Sequence, residues 1–236
     1  MNTKQYALIV AGGKGTRIKS SLPKQFIELQ GKPIVLHTLE AFYRYSKKIT
    51  VILVLPEDDF GIWERICKKF NFTRPVILQK GGATRFQSVR NGLEKIEGEG
   101  LVAIHDGVRP LVSGDMIGAS FRLAAIHHCA VAAVRLKESI RMTDPRLPEG
   151  SSARRQDNTK AVDRSRFRLI QTPQTFDVQL IRNAYQMKED PGLTDDASVA
   201  EKAGHIISLF EGSFENIKIT TPEDLVIVEA LMKQKS

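Results

Sequence analysis

Sulfur chemistry is nearly absent from this sequence. Its two cysteines, Cys67 and Cys129, stand far apart with no CxxC pair, which excludes a disulfide framework and a zinc knuckle and fits reduced thiols in the cytoplasm. No apolar stretch approaches the ~20 residues a spanning helix needs. The N-terminus, MNTKQYALIV, runs straight into a strand-like segment without the charged and apolar regions of a secretory signal. A soluble, cytoplasmic protein with no membrane partner is expected. Basic residues never cluster beyond pairs such as Lys47-Lys48, Lys68-Lys69 and Arg154-Arg155, and no aromatic platform, helix-turn-helix or RNP-like run is present. The net charge of +8 therefore points to a phosphate-handling site with solvated faces rather than to a nucleic-acid surface.

At 236 residues, 42% of them apolar, the chain is long enough to bury roughly 70 to 75% of its unfolded surface in a single α/β domain. Apolar runs of strand length recur at 6–10, 49–55, 76–78, 101–105 and 130–134, with amphipathic segments between them, the alternation of βαβ units. The first runs are continuously apolar, as in parallel strands covered on both faces. Over 84–96, Phe86, Val89, Leu93 and Ile96 follow the helical period. A last helix is announced by Thr221 as cap, Pro222 at its first position and Glu223 and Asp224 against its dipole; its apolar set includes Leu225, Val228 and Leu231. Between about 136 and 159 the pattern breaks into a polar stretch rich in Pro, Gly and Ser, read as an arm leaving one domain that spans 1–236.

Directly after the first strand comes Ala11-Gly12-Gly13-Lys14-Gly15-Thr16-Arg17, then Pro23-Lys24-Gln25. Small residues let backbone N–H groups turn toward an anion, and Arg17 and Lys24 stand near to share its charge. Ile18 breaks a GxGxxG fingerprint and no GK[ST] is present, which disfavours dinucleotide-binding and P-loop readings. Taken alone, the glycines could equally make a tight strand-to-helix turn. Gly81-Gly82-Ala83-Thr84-Arg85, alone, is a plausible helix start with Thr84 as cap. His105-Asp106-Gly107-Val108-Arg109-Pro110 closes a strand where ligands bind in open sheets. There Asp106 could hold Mg²⁺ and Arg109 a phosphate, or the two could form a buried ion pair. His105 reads as a strand residue, since no other His falls at ligand spacing. Lys218 alone reads as a solvated charge at a strand end.

Taken together, AGGKGTR with PKQ, GGATR with Ser88-Val89, HDGVRP, Glu138-Ser139-Ile140-Arg141, Val162-Asp163-Arg164, Gln171-Thr172-Pro173-Gln174, Leu193-Thr194-Asp195-Asp196-Ala197-Ser198 and Asn216-Ile217-Lys218-Ile219-Thr220 resemble, in order, the segments of the 2-C-methyl-D-erythritol 4-phosphate cytidylyltransferase family. The resemblance runs from Tyr6 to the last helix. It departs at Glu138-Ser139, where the family usually has Asp-Thr. It implies a Rossmann-like open, mostly parallel twisted sheet with helices on both faces and a protruding β-arm.

It also implies CMP transfer from CTP to a polyol phosphate with Mg²⁺ held by Asp106. In that reading Arg17, Lys24, Arg164 and Lys218 are catalytic. Ala11, Gly12, Gly13 and Gly15 hold the triphosphate, while Gly82, Ala83, Arg85 and Ser88 frame the nucleotide. Asp106, Arg109, Ser139, Thr172 and Thr194 complete substrate binding, and the arm joins a homodimer. A sister family that activates ribitol 5-phosphate shares the first three motifs, but it tends to carry Arg-Gly before its Gln-Thr-Pro-Gln, unlike Leu169-Ile170 here. A nucleic-acid module and a catalytically idle nucleotide sensor are the readings from other classes.

Overall fold

The computed structural model describes residues 3–13, 22–143 and 159–234. A seven-stranded sheet runs through it. Its strands are β1 (Gln5–Val10), β4 (Thr50–Leu55), β5 (Ile77–Lys80), β6 (Leu101–Asp106), β7 (Cys129–Arg135), β10 (Arg168–Asp177) and β11 (Leu209–Glu211), in the order β11-β7-β10-β6-β1-β4-β5. The pairs β1–β4, β1–β6, β4–β5 and β7–β11 are parallel, whereas β10 runs antiparallel to both β6 and β7. The expectation of a mostly parallel open sheet holds. The reversed strand β10 carries no apolar strand signature, because its outer part, Arg168–Ile170, is exposed and its inner part is mostly Gln and Thr.

Both faces of the sheet are covered, and the two-residue period of a strand divides its side chains between them. Ala7 and Ile9 of β1, Val51, Leu53 and Leu55 of β4, and Ala103 of β6 enter one core. That core also takes in Phe42 of α1 (Ile34–Tyr45), Trp63 of α2 (Phe60–Lys69) and Phe121 of α4 (Gly114–His127). Tyr6, Leu8, Ile52, Val54, Val102 and Ile104 enter the other, against Phe86 and Val89 of α3 (Arg85–Leu93), Ile181 of α5 (Val178–Ala184) and Val199 of α6 (Asp196–Lys202). This is why β1, β4 and β6 read as nearly unbroken apolar runs: neither face of them is wet. Each large aliphatic side chain so buried contributes about 1.5–3 kcal/mol.

The Thr84 cap expected from sequence is formed, its side chain accepting from the backbone N–H of Gln87 at 3.1 Å. The last helix, α7 (Pro222–Gln234), starts at the expected proline. There Asp224 Oδ2 accepts from the N–H groups of both Thr220 and Thr221 at 2.8 Å, so an acid reaching back organises the start of the helix. A third apolar cluster joins Val228 of this helix to Ile219, Val108 and Ile34, and it docks the chain around Lys218 onto the end of β6. Beside it, β2 (Glu28–Leu29) and β3 (Lys32–Pro33) form a short hairpin. The expected arm begins as an antiparallel pair, β8 (Arg141–Met142) with β9 (Lys160–Ala161); residues 144–158 of it lie outside the described residues.

Candidate active site

A cavity of about 190 Å³ opens beyond the carboxyl ends of β1 and β6, walled by Ala11, Gly12, Gly13, Lys24, Gln25, Gly82, Ala83, Thr84, Arg85, Ser88, Asp106 and Lys218, with Val10 and Val108. Ligands of open α/β sheets bind at such an edge. Two backbone hydrogen bonds carry the ladder past the strand ends: Ala11 N–H donates to the Val54 carbonyl at 2.9 Å and Gly107 N–H to the Val10 carbonyl at 2.8 Å. Gly107 is required by closeness, since a Cβ there would lie 2.7 Å from the Cβ of Ala11. The GGATR segment is folded back on its own helix. Ser88 Oγ accepts from Gly82 N–H at 3.1 Å and donates to the Thr84 carbonyl at 2.8 Å, while Gln87 Oε1 accepts from Ala83 N–H at 3.0 Å. A Cβ on Gly82 would fall 2.3 Å from that of Gln87.

Asp106 is the electrostatic centre of this edge. Its Oδ2 lies 3.1 Å from Lys218 Nζ and 3.2 Å from Arg109 Nε, and its Oδ1 lies 3.9 Å from Arg85 Nε. Burial by itself would push this carboxyl up, but Lys218, Arg85 and Arg109 together outweigh it and hold Asp106 well below the usual carboxylate range. Arg85 is also gripped from behind by Asp196, whose oxygens accept from Nη1 at 2.8 Å and Nη2 at 2.6 Å. His105, fully buried against Phe42, is pushed down to about 4 by burial, with Asp106 opposing the shift. It is a buried residue of β6, as the sequence reading has it.

Lys24, Gly82, Ala83, Arg85, Ser88, Asp106, Lys218, Ala11, Gly12 and Gly13 line this one cavity. Lys24 Nζ also donates to the Ile219 carbonyl at 3.3 Å. Arg109, a substrate ligand by the resemblance, is not among the described residues lining the cavity. It is buried, with Nε on Asp106 and Nη1 donating to the Asn216 carbonyl at 2.7 Å, so its head faces protein, and it braces Asp106. Thr172 does the same, its Oγ1 accepting from Asp106 N–H at 3.1 Å. Ser139, Arg164 and Thr194 are exposed and do not line the cavity; Arg164 Nη1 donates to the Lys137 carbonyl at the root of the arm. Gly15 and Arg17 lie outside the described residues.

Three supporting residues had no role in the sequence reading: Gln25, which reaches Asp59 Oδ2 at 2.9 Å, Asn216, whose Nδ2 donates to the Thr172 carbonyl at 2.8 Å, and Asp196. All three sit inside quoted motifs. Their partners are distant in sequence, so no spacing rule could have found the contacts.

Among the described residues no group of three or more His, Cys, Asp or Glu could cage an ion. One ionised carboxylate at a cavity lined by backbone and cations does suit Mg²⁺, which keeps waters and takes the rest of its ligands from phosphate oxygens. Asp106 is the carboxylate among the described residues lining the cavity.

Known proteins resemble this chain in sequence and in fold. The sequence model of the 2-C-methyl-D-erythritol 4-phosphate cytidylyltransferase family matches residues 5–234. The protein of that name from Bacteroides fragilis is 44% identical, over 96% of this chain and 98% of its own length. Among solved structures, the 4-diphosphocytidyl-2C-methyl-D-erythritol synthase of Anaerococcus prevotii superposes with a TM-score of 0.80 at 27% identity, covering 98% of this chain and 96% of that one. The cytidylyltransferase of Thermus thermophilus gives 0.72 at 29%, covering 99% and 100%. Among the described residues, no helix is long and apolar enough to cross a membrane. With the motifs, the sheet and the whole length of the chain in agreement, this protein belongs to the 2-C-methyl-D-erythritol 4-phosphate cytidylyltransferase family.

Proposed function

We propose that the chain transfers CMP from CTP to 2-C-methyl-D-erythritol 4-phosphate, giving 4-diphosphocytidyl-2-C-methyl-D-erythritol and pyrophosphate in the non-mevalonate supply of isoprenoid precursors. The observation that carries this reading is the cavity at the β1 and β6 ends. Backbone of Ala11 to Gly13 faces the side chains of Lys24, Arg85 and Lys218 across it, and no His or Cys is among its described walls. That is a site for holding and neutralising phosphates rather than for nucleophilic side-chain chemistry.

An oxygen of the acceptor phosphate attacks the α-phosphorus in line. The new P–O bond forms as the bond from the α-phosphorus to the bridging oxygen breaks, and pyrophosphate leaves with that oxygen. A phosphate monoester is already ionised near neutral pH, so no general base is needed and the work is positioning and charge stabilisation. Lys24, with Arg17, stabilises the charge that grows on the α-phosphate. Ala11 walls the cavity, its own N–H held by the Val54 carbonyl, so the triphosphate cradle falls to the backbone amides from Gly12 to Gly15, and Gly82, Ala83, Arg85 and Ser88 frame cytosine and ribose. Asp106 and Lys218 face the acceptor, with Arg109 and Thr172 fixing Asp106. When bound, Mg²⁺ would neutralise triphosphate charge, and Asp106 would hold it.

The working form is a homodimer in the cytoplasm. Ser139 and Arg164 stand at the root of the arm, outside the cavity of their own chain, which suits delivery to a partner's acceptor site; Thr194 is kept as a substrate contact on the resemblance alone.

Pyrophosphate release in the presence of Mg²⁺, measured for each nucleoside triphosphate with each of the two polyol phosphates, tests the reading. CTP with 2-C-methyl-D-erythritol 4-phosphate should turn over fastest. Faster turnover with ribitol 5-phosphate would reassign the acceptor, and CTP binding without any pyrophosphate would leave a nucleotide sensor.

A further inference from the structure

Arg85 opens α3 and presents its guanidinium to the cavity, yet its fork is occupied from the side away from the cavity. Asp196 accepts from Nη1 at 2.8 Å and from Nη2 at 2.6 Å, and it is fully buried while the Arg85 side chain keeps 28% of its exposure. The hydroxyl of Tyr185 donates to Asp196 Oδ1 at 2.6 Å, and the Tyr185 ring packs 4.7 Å from that of Phe86, the neighbour of Arg85. The carboxylate is itself fixed to the sheet. Asp195 caps α6 by accepting from Ser198 N–H at 2.9 Å, and Gln174 of β10 grips that turn through Asp195 Oδ2 at 2.9 Å and Ala197 N–H at 2.8 Å.

A buried ion pair is a poor way to gain stability, because desolvation cancels much of its attraction. Its geometric effect is large: a long cationic side chain is frozen in one rotamer before ligand arrives, and that ordering cost need not be met on binding. Two of the five guanidinium donors are spent on Asp196, and Nε stands 3.9 Å from Asp106 Oδ1 at the cavity wall, which leaves the outer Nη hydrogens for a ligand.

We propose that Asp196, steadied by Tyr185, is a positioning residue for nucleotide binding, acting on CTP through Arg85. This rests on the reading of the cavity as the CTP site.

The test is CTP affinity by calorimetry with Mg²⁺, alongside steady-state kinetics, for Asp196→Asn, Tyr185→Phe, Arg85→Ala and the double variant Arg85→Ala with Asp196→Asn. Asp196→Asn keeps the shape but turns one acceptor into a donor, so the dissociation constant and KM for CTP should rise about tenfold, the scale of one charge-assisted hydrogen bond. KM for the polyol phosphate should change clearly less than that for CTP, because Arg85 meets the acceptor side only through Asp106 Oδ1 at 3.9 Å. Tyr185→Phe should move CTP affinity the same way by less. The double variant should bind CTP no more weakly than Arg85→Ala, because Asp196 has nothing left to position.

Unchanged CTP affinity in folded Asp196→Asn, losses that multiply in the double variant, or equal losses for both substrates would each overturn the proposal. Should Asp196→Asn fail to fold, Tyr185→Phe decides, and unaltered CTP affinity there overturns it. The binding measurement needs no acceptor: a wild type that binds CTP without turnover sinks the assigned reaction while this inference is still tested, and a wild type that binds no CTP sinks both.

Discussion

Lys218 sets its Nζ 3.1 Å from Oδ2 of Asp106, joining the chain before the last helix to the end of β6. Asp106 is buried, whereas the Lys218 side chain is 43% exposed and borders the cavity. The lysine therefore both compensates a buried carboxylate and offers its remaining donors to an anion. Lys218→Ala should lower kcat/KM for the polyol phosphate at least about tenfold, the value of one hydrogen bond to a charged group, while CTP binding changes little. Steady-state kinetics with either substrate varied would check this, and a defect confined to CTP would contradict it.

Lys24 follows Pro23 into the cavity, where it faces the place assigned to the α-phosphate. Lys24→Ala should reduce kcat on the order of a hundredfold or more with the fold intact, as removal of one preorganised donor does. Unaltered kcat with only a raised KM for CTP would mean that Lys24 supplies uniform binding instead.

A Cβ on Gly107 would meet the Cβ of Ala11 at 2.7 Å and the Val10 carbonyl at 3.3 Å. Gly107→Ala should thus push the Gly-rich loop off the end of β6. The expected result is about 1–3 kcal/mol of lost stability in urea, the usual cost of overpacking, and weaker CTP binding. A variant with wild-type melting and wild-type CTP affinity would show that the two loops yield freely.

Burial holds the His105 imidazole near 4, with Asp106 pulling the other way and Arg109 and Lys218 adding to the depression. In the unfolded chain the ring takes up its proton near ~6.5. Between those values the unfolded state binds a proton that the folded state refuses, so stability should fall as pH falls from about 6.5 toward about 4. His37, also lowered by burial, adds in the same direction. Urea midpoints at a series of pH values should show this acid slope, and His105→Asn should flatten it; an equal slope in the variant would place the titration elsewhere.

Lys24 borders the cavity of its own chain, while Arg164 stands at the arm's root. If the arm serves the partner's site, mixing Lys24→Ala and Arg164→Ala subunits after dissociation should restore activity. With random pairing half the dimers are mixed and each has one intact site, so recovery reaches about a quarter of wild type at most. Mixed dimers that form and stay inactive would place Arg164 within its own subunit.

Local chemistry made a large part of this protein legible in advance. Unbroken apolar runs could only be strands covered on both faces, and they mark β1, β4, β6 and β7 to within a residue or two at each end. Thr84 before a helical stripe gave α3 its start, and Pro222 did the same for α7. The small residues after β1 and the acid closing β6 marked the sheet edge where phosphates would sit. Each of these follows from sterics or hydrogen bonding within a few residues, which is what a sequence encodes directly.

Tertiary structure decided what depends on partners brought from far along the chain. Whether Arg109 reaches outward or braces Asp106 turns on Asn216, whose carbonyl receives its Nη1. Whether Arg85 swings freely turns on Asp196, 111 residues further along the chain. The reversed strand β10 could not be recognised from its own residues, because its polar inner half finds its partners only after insertion between β6 and β7: Thr175 on Ser120, and Gln174 on Asp195 and Ala197. A buried charge or amide is tolerated only where its partner arrives, and which partner arrives is a property of the packed fold.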